Sequence, residues 1–192
     1  GRPLSFDREQ VLEAATQVFW QQGYEGASIE GLTTAMGINP PSLYAKFGNK
    51  HTLFMHVLDH YVSTITSTQL SALMEKGDIR QAFSRYFEEI IQCVASPDLP
   101  SGCLIASVAT EVSERDTIVR KKVRELLAKA EDLIAYRINQ NKPENAPFKG
   151  LRSRQTARMV LAVGQSLAAR ARVGEPKARL RELADDFIDH LF

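Results

Sequence analysis

The chain has 192 residues, of which 44% are hydrophobic and 24% charged, and 24 Lys and Arg balance 23 Asp and Glu to a net charge of +1. Intrinsic disorder is excluded because apolar residues are plentiful and the charge nearly cancels, and no apolar run approaches the roughly 20 residues that span a bilayer. Two cysteines without a CxxC motif and a start without a hydrophobic export segment predict a cytoplasmic protein with no membrane partner.

The charges are unevenly placed along the chain. Residues 52–114 carry 8 acidic and 3 basic side chains, whereas residues 149–181 carry 9 basic and 1 acidic side chain. We expect these two stretches to neutralise each other partly in the fold. Residues 1–51 carry only 4 basic side chains against 5 acidic ones, so a DNA contact there would depend on where the charges lie.

Apolar residues recur at helical spacing in the segments between clusters of Gly and Pro. No segment alternates with period two, so we predict an all-α fold of about nine helices. The predicted helices span Asp7–Gln22 with Gly23 as the stop, Ser28–Gly37, Pro40–Phe47, Lys50–Met74, Ile79–Ala95, Cys103–Ser113, Thr117–Asn141, Arg152–Val173 and Lys177–Leu191.

The second and third helices have the pattern of a helix-turn-helix unit. Gly37 can take the positive φ that a sharp turn requires, and Ile38 can fill the angle between the two helices. Asn39 is a good N-cap, and Pro40 at the first helical position loses no needed hydrogen bond. The third helix would then project Pro41, Ser42 and Tyr44 outward, with Leu43 and Phe47 packed inward.

Residues 28–54, SIEGLTTAMGINPPSLYAKFGNKHTLF, resemble the DNA-binding segment of regulators of the tetracycline repressor (TetR) family. Gly37, Leu43, Tyr44, Phe47 and Lys50 all fall at the spacing of that family. The resemblance implies an N-terminal helix-turn-helix DNA-binding domain over residues 1–52. It also implies a larger helical domain for effector binding and dimerisation over residues 53–192.

The resemblance implies a role for each matching side chain. Tyr44 would donate its hydroxyl to a DNA phosphate, and Lys50 would contact a phosphate from the start of the fourth helix. A proline pair at 40 and 41 replaces a polar residue and a glycine, so it favours apolar contact with a base. The implied DNA contacts are Arg2 in the minor groove, Ser28 or Thr33 on the backbone, Asn39, Pro41 and Ser42 at base edges, Tyr44 and Lys50 at phosphates, and Lys46 near a phosphate or a base.

The last two predicted helices carry apolar stripes that contain several small residues. The resemblance implies that these helices pair with a second copy of the chain, and a two-fold dimer would read two half-sites. Periodicity alone is equally consistent with stripes that close the core of one chain. The candidate interface residues are Val160, Leu161, Gly164, Leu167, Ala168, Leu183, Phe187 and Leu191.

Inward residues of the middle helices could line a cavity for a small-molecule effector, since such pockets combine apolar walls with a few polar groups. Ordinary core packing is the alternative for each of them. Cys103 follows Gly102 at a predicted helix N-terminus, which would favour a reactive thiolate. The candidate pocket residues are Tyr61, Phe83, Tyr86, Phe87, Ile90, Cys103, Ser107, Thr110, Glu111 and Met159.

The sequence therefore predicts a ligand-responsive DNA-binding regulator, a homodimeric repressor released from a palindromic double-stranded operator by a small molecule. Two alternatives remain open: a redox or electrophile sensor acting through Cys103, and a helical ligand carrier that does not bind DNA. No phosphate loop or nucleophile motif indicates an enzyme or a cofactor. His56 and His60 stand one turn apart without an evident third ligand, so we predict no metal site.

Overall fold

The structure is a computed structural model that describes residues 7–140 and 152–192. Arg2 and the break predicted at residues 141–150 lie outside this range. The helices are α1 (Arg8–Gly26), α2 (Ile29–Met36), α3 (Pro40–Phe47), α4 (Lys50–Tyr61), α5 (Ser67–Met74), α6 (Ile79–Val94), α7 (Thr110–Ser113), α8 (Thr117–Asn139), α9 (Ser153–Arg172) and α10 (Lys177–Leu191), with π-helical segments at Val62–Thr66 and Ile105–Ala109.

The predicted all-α fold of about nine helices is confirmed. The π-helical segment Val62–Thr66 joins α4 to α5, and Ile105–Ala109 continues directly into α7, so the described residues form nine helical rods. None of these helices is long and apolar enough to cross a membrane.

The predicted helix Lys50–Met74 is continuous, but its hydrogen-bonding register changes in the middle. Thr64 donates its hydroxyl to the carbonyl of His60 at 2.8 Å, and Thr68 donates to the carbonyl of Thr64 at 2.8 Å. Such side chains compete with amides for the carbonyls of the preceding turn, which weakens the α register. The π-helical segment therefore coincides with a run of Ser and Thr.

The helix predicted to start at Cys103 begins instead at Ile105. Gly102 has a φ of 90°, and its N–H donates to the carbonyl of Val94 at 3.0 Å, so the chain leaves α6 in a turn. Cys103 directly precedes the N-cap Leu104, and its carbonyl accepts from the N–H of Ser107 at 3.1 Å, so it lies at the N-terminal edge of this helical segment.

Two hydrophobic cores organise the molecule. The first surrounds α1 to α4 and includes Leu104 to Ala109 and the start of α8. The second lies among α5, α6, α9 and α10 and the end of α8. The rod from α4 to α5 passes from the first core to the second, and Cys103 packs against both.

The opposite charges of distant stretches do meet, as their distribution predicted. Arg181 on α10 pairs with Glu88 on α6 at 2.7 Å. The hydrogen bond with Arg181 is the first cause that holds the pKa of Glu88 below its usual value. The pair is exposed, so it orients α10 on α6 more than it stabilises the fold.

Candidate DNA-binding surface and effector cavity

The turn between α2 and α3 has the geometry that the sequence predicted. Gly37 ends α2 in the left-handed region, with φ 64° and ψ 29°. Ile38 packs half-buried against the first core. The Asn39 carboxamide oxygen accepts from the N–H of Ser42 at 2.9 Å, and Pro40 occupies the first helical position. The turn thus fixes the direction in which α3 leaves α2.

Helix α3 presents one face to solvent and buries the other. Leu43 and Phe47 are buried in the first core, whereas Tyr44 is 50% exposed. Pro41 and Lys46 are also exposed, and Ser42 is half-buried. The side chains of this outer face therefore lie as the spacing predicted, and their contacts with DNA stay predictions.

Lys50 lies at the start of α4 beside the end of α1. Its ammonium is 4.7 Å from the centroid of the Tyr24 ring and 3.5 Å from the carbonyl oxygen of Glu25. Asn49 caps α4 by accepting from the N–H of Thr52 at 2.9 Å. The ammonium and a helix N-terminus thus lie on one surface, as phosphate binding requires.

The two candidate backbone contacts on α2 differ in exposure. Ser28 is exposed, and its hydroxyl oxygen caps α2 by accepting from the N–H of Gly31 at 3.0 Å. Thr33 is 4% exposed and donates its hydroxyl into its own helix, to the carbonyl of Ile29 at 2.8 Å. The surface role predicted for Thr33 is therefore wrong, because the side chain points into the core.

A cavity of about 220 Å³ lies between the α4–α5 rod, α6, α8 and α9. Four candidate pocket residues line it: Tyr61, Tyr86, Ile90 and Cys103. The Tyr61 hydroxyl donates to the Cys103 Sγ at 3.4 Å. Burial raises the pKa of Tyr61 well above its usual value, so this phenol stays a donor at neutral pH.

The other six candidate pocket residues lie elsewhere. Phe83 and Phe87 are buried in the second core, where they pack near Phe192 and Phe187 of the last helix. Four residues lie outside the cavity lining because their side chains turn to other surfaces: Ser107, Thr110, Glu111 and Met159.

The sequence did not predict that residues of α8 line the cavity. A stripe on this helix at helical spacing was the available signal, but the sequence does not tell which elements it faces. The rest of the lining comes from α5, α9 and the π-helical segments. The lining residues that were not predicted include Gln69, Leu70, Leu126, Leu127, Lys129, Ala130, Leu133, Leu161, Gly164, Gln165 and Ala168.

Most candidate interface residues are buried inside one chain. Val160 and Leu167 are fully buried, and Ala168 and Leu191 are nearly so. Gly164 is buried against α6, Leu161 lines the cavity, and Leu183 and Phe187 pack half-buried on the second core. The stripe predicted on α9 therefore closes the core, which was the alternative interpretation.

A second stripe on α9 faces outward. Its members are apolar or small, and they recur at three- and four-residue spacing on the side opposite the core. Met159 is 41% exposed and Val173 is 84% exposed. The outward stripe consists of Met159, Ala162, Ser166, Ala169 and Val173, and Val163 lies at its edge, half-buried against the second core.

The histidines of α4 connect this helix to its neighbours. His51 pairs with Asp116, the N-cap of α8, at 2.8 Å, and His60 pairs with Glu13 of α1 at 3.1 Å. His56 lies 3.4 Å from a guanidinium nitrogen of Arg8. Within the described ranges, no three His, Cys, Asp or Glu side chains are grouped as ligands of a metal ion.

The two halves of the chain match two known domain families. Residues 11–57 match "Bacterial regulatory proteins, tetR family", and residues 81–187 match "Tetracyclin repressor-like, C-terminal domain". The chain belongs to the TetR family.

Individual relatives agree with this assignment. The repressors ComR and BdcR of Escherichia coli K12 are 40% identical over 114 residues and 34% identical over 105 residues, which are 59% and 55% of this chain. The chain spans about half the length of these curated relatives, 54% and 53%. A structure of the TetR family regulator CifR, a cysteine mutant complexed with a 26-bp double-strand operator, has a TM-score of 0.86 and 30% identity, with 98% of each chain covered.

Proposed function

We propose that this chain is a ligand-responsive transcriptional repressor that binds a palindromic operator as a homodimer. A small molecule in the cavity would release it from DNA. The relatives named ComR and BdcR are repressors, and CifR is a regulator whose structure contains operator DNA. The similarity to these regulators supports the proposal. Its mechanism is argued from the geometry of this chain.

The main support for the proposal is the continuous α4–α5 rod, which connects the DNA-binding surface to the cavity. Lys50 begins this rod at the DNA-binding surface, and Tyr61, Thr66 and Leu70 further along it line the cavity. A ligand that pushes on the second half of the rod would therefore tilt its first half. Ligand binding would favour the conformation that does not fit DNA, to the extent that it binds that conformation more tightly.

The outward stripe on α9 is the surface that we assign to the dimer. A two-fold dimer buries the same patch of both copies, so it requires a self-complementary surface. Small residues such as Ala162 and Ser166 let two helices approach closely, and the charged residues of α9 lie mostly away from them. Such a dimer would place its two α3 helices about 34–36 Å apart, one turn of DNA.

Cys103 supports a second candidate, a regulator triggered by covalent modification of a thiol. Its Sγ lines the cavity and accepts the hydroxyl of Tyr61, so an electrophile that enters the cavity would meet it. Cys93 is a poor nucleophile by comparison, because burial raises its pKa to about 11. A Cys103→Ser variant that keeps the full response to an oxidant or an electrophile would eliminate this candidate.

The proposed function is tested by selection of bound sequences from a pool of random duplex DNA, at two salt concentrations. We expect an enriched palindromic motif and an affinity that falls as salt rises, because phosphate contacts release counterions. A pool without an enriched motif, with the chain folded by circular dichroism, would overturn the proposal in favour of a ligand carrier that does not bind DNA.

A further inference from the structure

The hydroxyl of Tyr86 indicates which kind of ligand the cavity can bind. Tyr86 is 3% exposed and lines the cavity, and no group of the described residues accepts a hydrogen bond from its hydroxyl. By contrast, the hydroxyl of Tyr61 donates to Cys103. The Tyr86 hydroxyl oxygen is not among the fully enclosed polar atoms that lack a partner, so it opens onto the cavity, where a ligand can supply the partner that phenols usually have. Tyr86 is therefore an available donor that faces the cavity.

Gly164 leaves space in front of this hydroxyl. A Cβ atom at position 164 would lie 3.8 Å from the Tyr86 hydroxyl oxygen and 3.1 Å from the Cδ1 of Ile90. Any larger side chain would therefore fill the region between α9 and α6 that the phenol faces. The glycine keeps that end of the cavity open to a ligand atom.

The rest of the lining is mainly apolar. Among the described residues it also contains uncharged polar side chains and a single lysine. Ile90, Val94, Leu126, Leu127 and Leu161 supply hydrocarbon surface. Thr66, Gln69 and Gln165 are half-buried, and Lys129 is exposed, so its charge is solvated at the rim. None of the lining residues within the described part of the chain is acidic. A charged ligand group deep in the cavity would lose its hydration without meeting an opposite charge.

We infer that the effector is an uncharged, mainly apolar molecule with one oxygen that accepts a hydrogen bond from Tyr86. A carbonyl, hydroxyl or ether oxygen would serve. At the packing density of protein interiors, the cavity accommodates roughly ten non-hydrogen atoms. The inference rests on the proposed function, because it assumes that the effector occupies this cavity. Burial raises the pKa of Tyr86, which keeps its phenol protonated as a donor.

The test is a calorimetric titration of the full chain, without DNA, with three matched sets of probes. The sets are phenyl ketones (acetophenone, propiophenone, butyrophenone), alkylbenzenes of the same skeletons, and the phenylalkanoates phenylacetate, 3-phenylpropanoate and 4-phenylbutanoate. We expect the ketones to bind most tightly. The alkylbenzenes should bind about 3- to 10-fold more weakly, the value of one neutral hydrogen bond. The carboxylates should bind more weakly than either.

Two variants locate the hydrogen bond. Tyr86→Phe keeps the shape of the side chain and should weaken ketone binding about 3- to 10-fold, while the alkylbenzenes are unaffected. The matched control Tyr136→Phe removes the hydroxyl of an exposed tyrosine on α8 that does not line the cavity, and it should change neither affinity. Gly164→Leu should weaken binding of all probes because it fills the cavity.

Three results would overturn the inference: equal binding of ketone and hydrocarbon in the unmodified chain, tightest binding of the carboxylates through Lys129, or no probe binding below about 1 mM. Each would leave operator binding by the selection experiment untouched. Conversely, a ketone that binds through Tyr86 without changing operator affinity would support the ligand class and overturn the proposed effector role of the cavity.

Discussion

At the residue scale, Tyr44 projects from a helix that Leu43 and Phe47 anchor in the core. The Lys50 ammonium lies over the Tyr24 ring, 3.5 Å from the carbonyl oxygen of Glu25. We predict that Tyr44→Phe lowers operator affinity about 3- to 10-fold, because one hydrogen bond to a phosphate is lost. Lys50→Met should lower it similarly and reduce the slope of log affinity against log salt by about one, because one phosphate contact is lost. Fluorescence anisotropy with the selected duplex measures both.

The matched control for these variants is again Tyr136→Phe, which lies on α8 and should leave DNA binding unchanged. An unaltered affinity in both Tyr44→Phe and Lys50→Met would contradict the assignment of this surface to DNA. Unfolding curves of the variants separate a lost contact from a lost fold.

Arg137 shows how one buried charge can fix a helix end. It is 6% exposed, and its guanidinium donates to the carbonyls of Leu73 and Gly77, both at 3.0 Å. We predict that Arg137→Met lowers the free energy of unfolding by about 2–3 kcal/mol, because buried carbonyls lose charged donors. Arg137→Lys should not rescue it, since an ammonium lacks the planar fork of donors.

Urea denaturation followed by circular dichroism measures this change. Arg124→Met on the same helix is the matched control, because Arg124 is exposed and should cost under about 0.5 kcal/mol. Equal stability of the Arg137→Met and Arg124→Met variants would contradict the role of Arg137 as the cap of α5.

At the element scale, the junction of α4 and α8 depends on one carboxylate. Asp116 caps α8 through the N–H groups of Ile118 and Val119 and pairs with His51. The hydrogen bond from Val119, followed by the charge of His51, lowers the pKa of Asp116. Because the native pKa is lowered, its stabilisation is present above the usual Asp value and is lost as pH falls through the native value.

We therefore predict that Asp116→Asn is less stable than the unmodified chain at pH 7, by under about 1 kcal/mol, since Asn still caps the helix. The difference should persist down to the usual pKa of an Asp and shrink as pH falls through the lowered pKa of the native carboxyl. Urea denaturation at each pH measures it. Glu114→Gln, at an exposed neighbour, should show no such trend, and a constant difference for Asp116→Asn would refute the prediction.

Local sequence patterns predicted the helices well and their registers less well. Gly37, Asn39 and Pro40 act through their own backbone conformations, so the turn before α3 was predictable from those residues alone. The π-helical segments were not, because the competition of Thr64 and Thr68 for carbonyls becomes decisive only in the folded rod. Likewise, the N–H of Gly102 bonds to the carbonyl of Val94 across a loop, and the next helical segment begins only at Ile105. The local sequence does not show this contact.

At the scale of the whole molecule, the outward stripe on α9 predicts a dimer that can be disrupted without unfolding either chain. We expect Ala162→Glu combined with Ser166→Glu to convert the protein to a folded monomer, because unpaired like charges at an interface cost several kcal/mol. Operator binding should be lost with the dimer. Sedimentation velocity at micromolar concentration and a thermal melt measure the two effects.

Two control variants separate loss of the dimer from loss of the fold. Leu167→Glu on the opposite face of α9 should unfold the chain, because Leu167 is fully buried. Ser71→Glu on exposed α5 should change neither stability nor assembly. A dimer that survives the Ala162→Glu, Ser166→Glu double substitution would mean that another surface pairs the two copies.

The cavity marks the limit of what one sequence can predict. Tyr61, Tyr86 and Ile90 were identified because apolar residues with polar ends suit a pocket. Phe83 and Phe87 have the same character but face α10, and this choice depends on the angles between helices. Those angles follow from tertiary packing, which periodicity along one helix does not specify.

The distance between the two α3 helices in solution reports directly whether the cavity and the DNA-binding surface are coupled. A nitroxide at exposed Ala45→Cys, in a Cys93→Ala, Cys103→Ser background, would report it by pulsed electron paramagnetic resonance. Without ligand we predict a distribution centred at about 35 Å, the spacing of two half-sites. The tightest-binding ketone should shift that distribution and lower operator affinity together. A bound ketone that changes neither the distance nor the affinity would contradict the coupling of cavity and DNA surface through the α4–α5 rod.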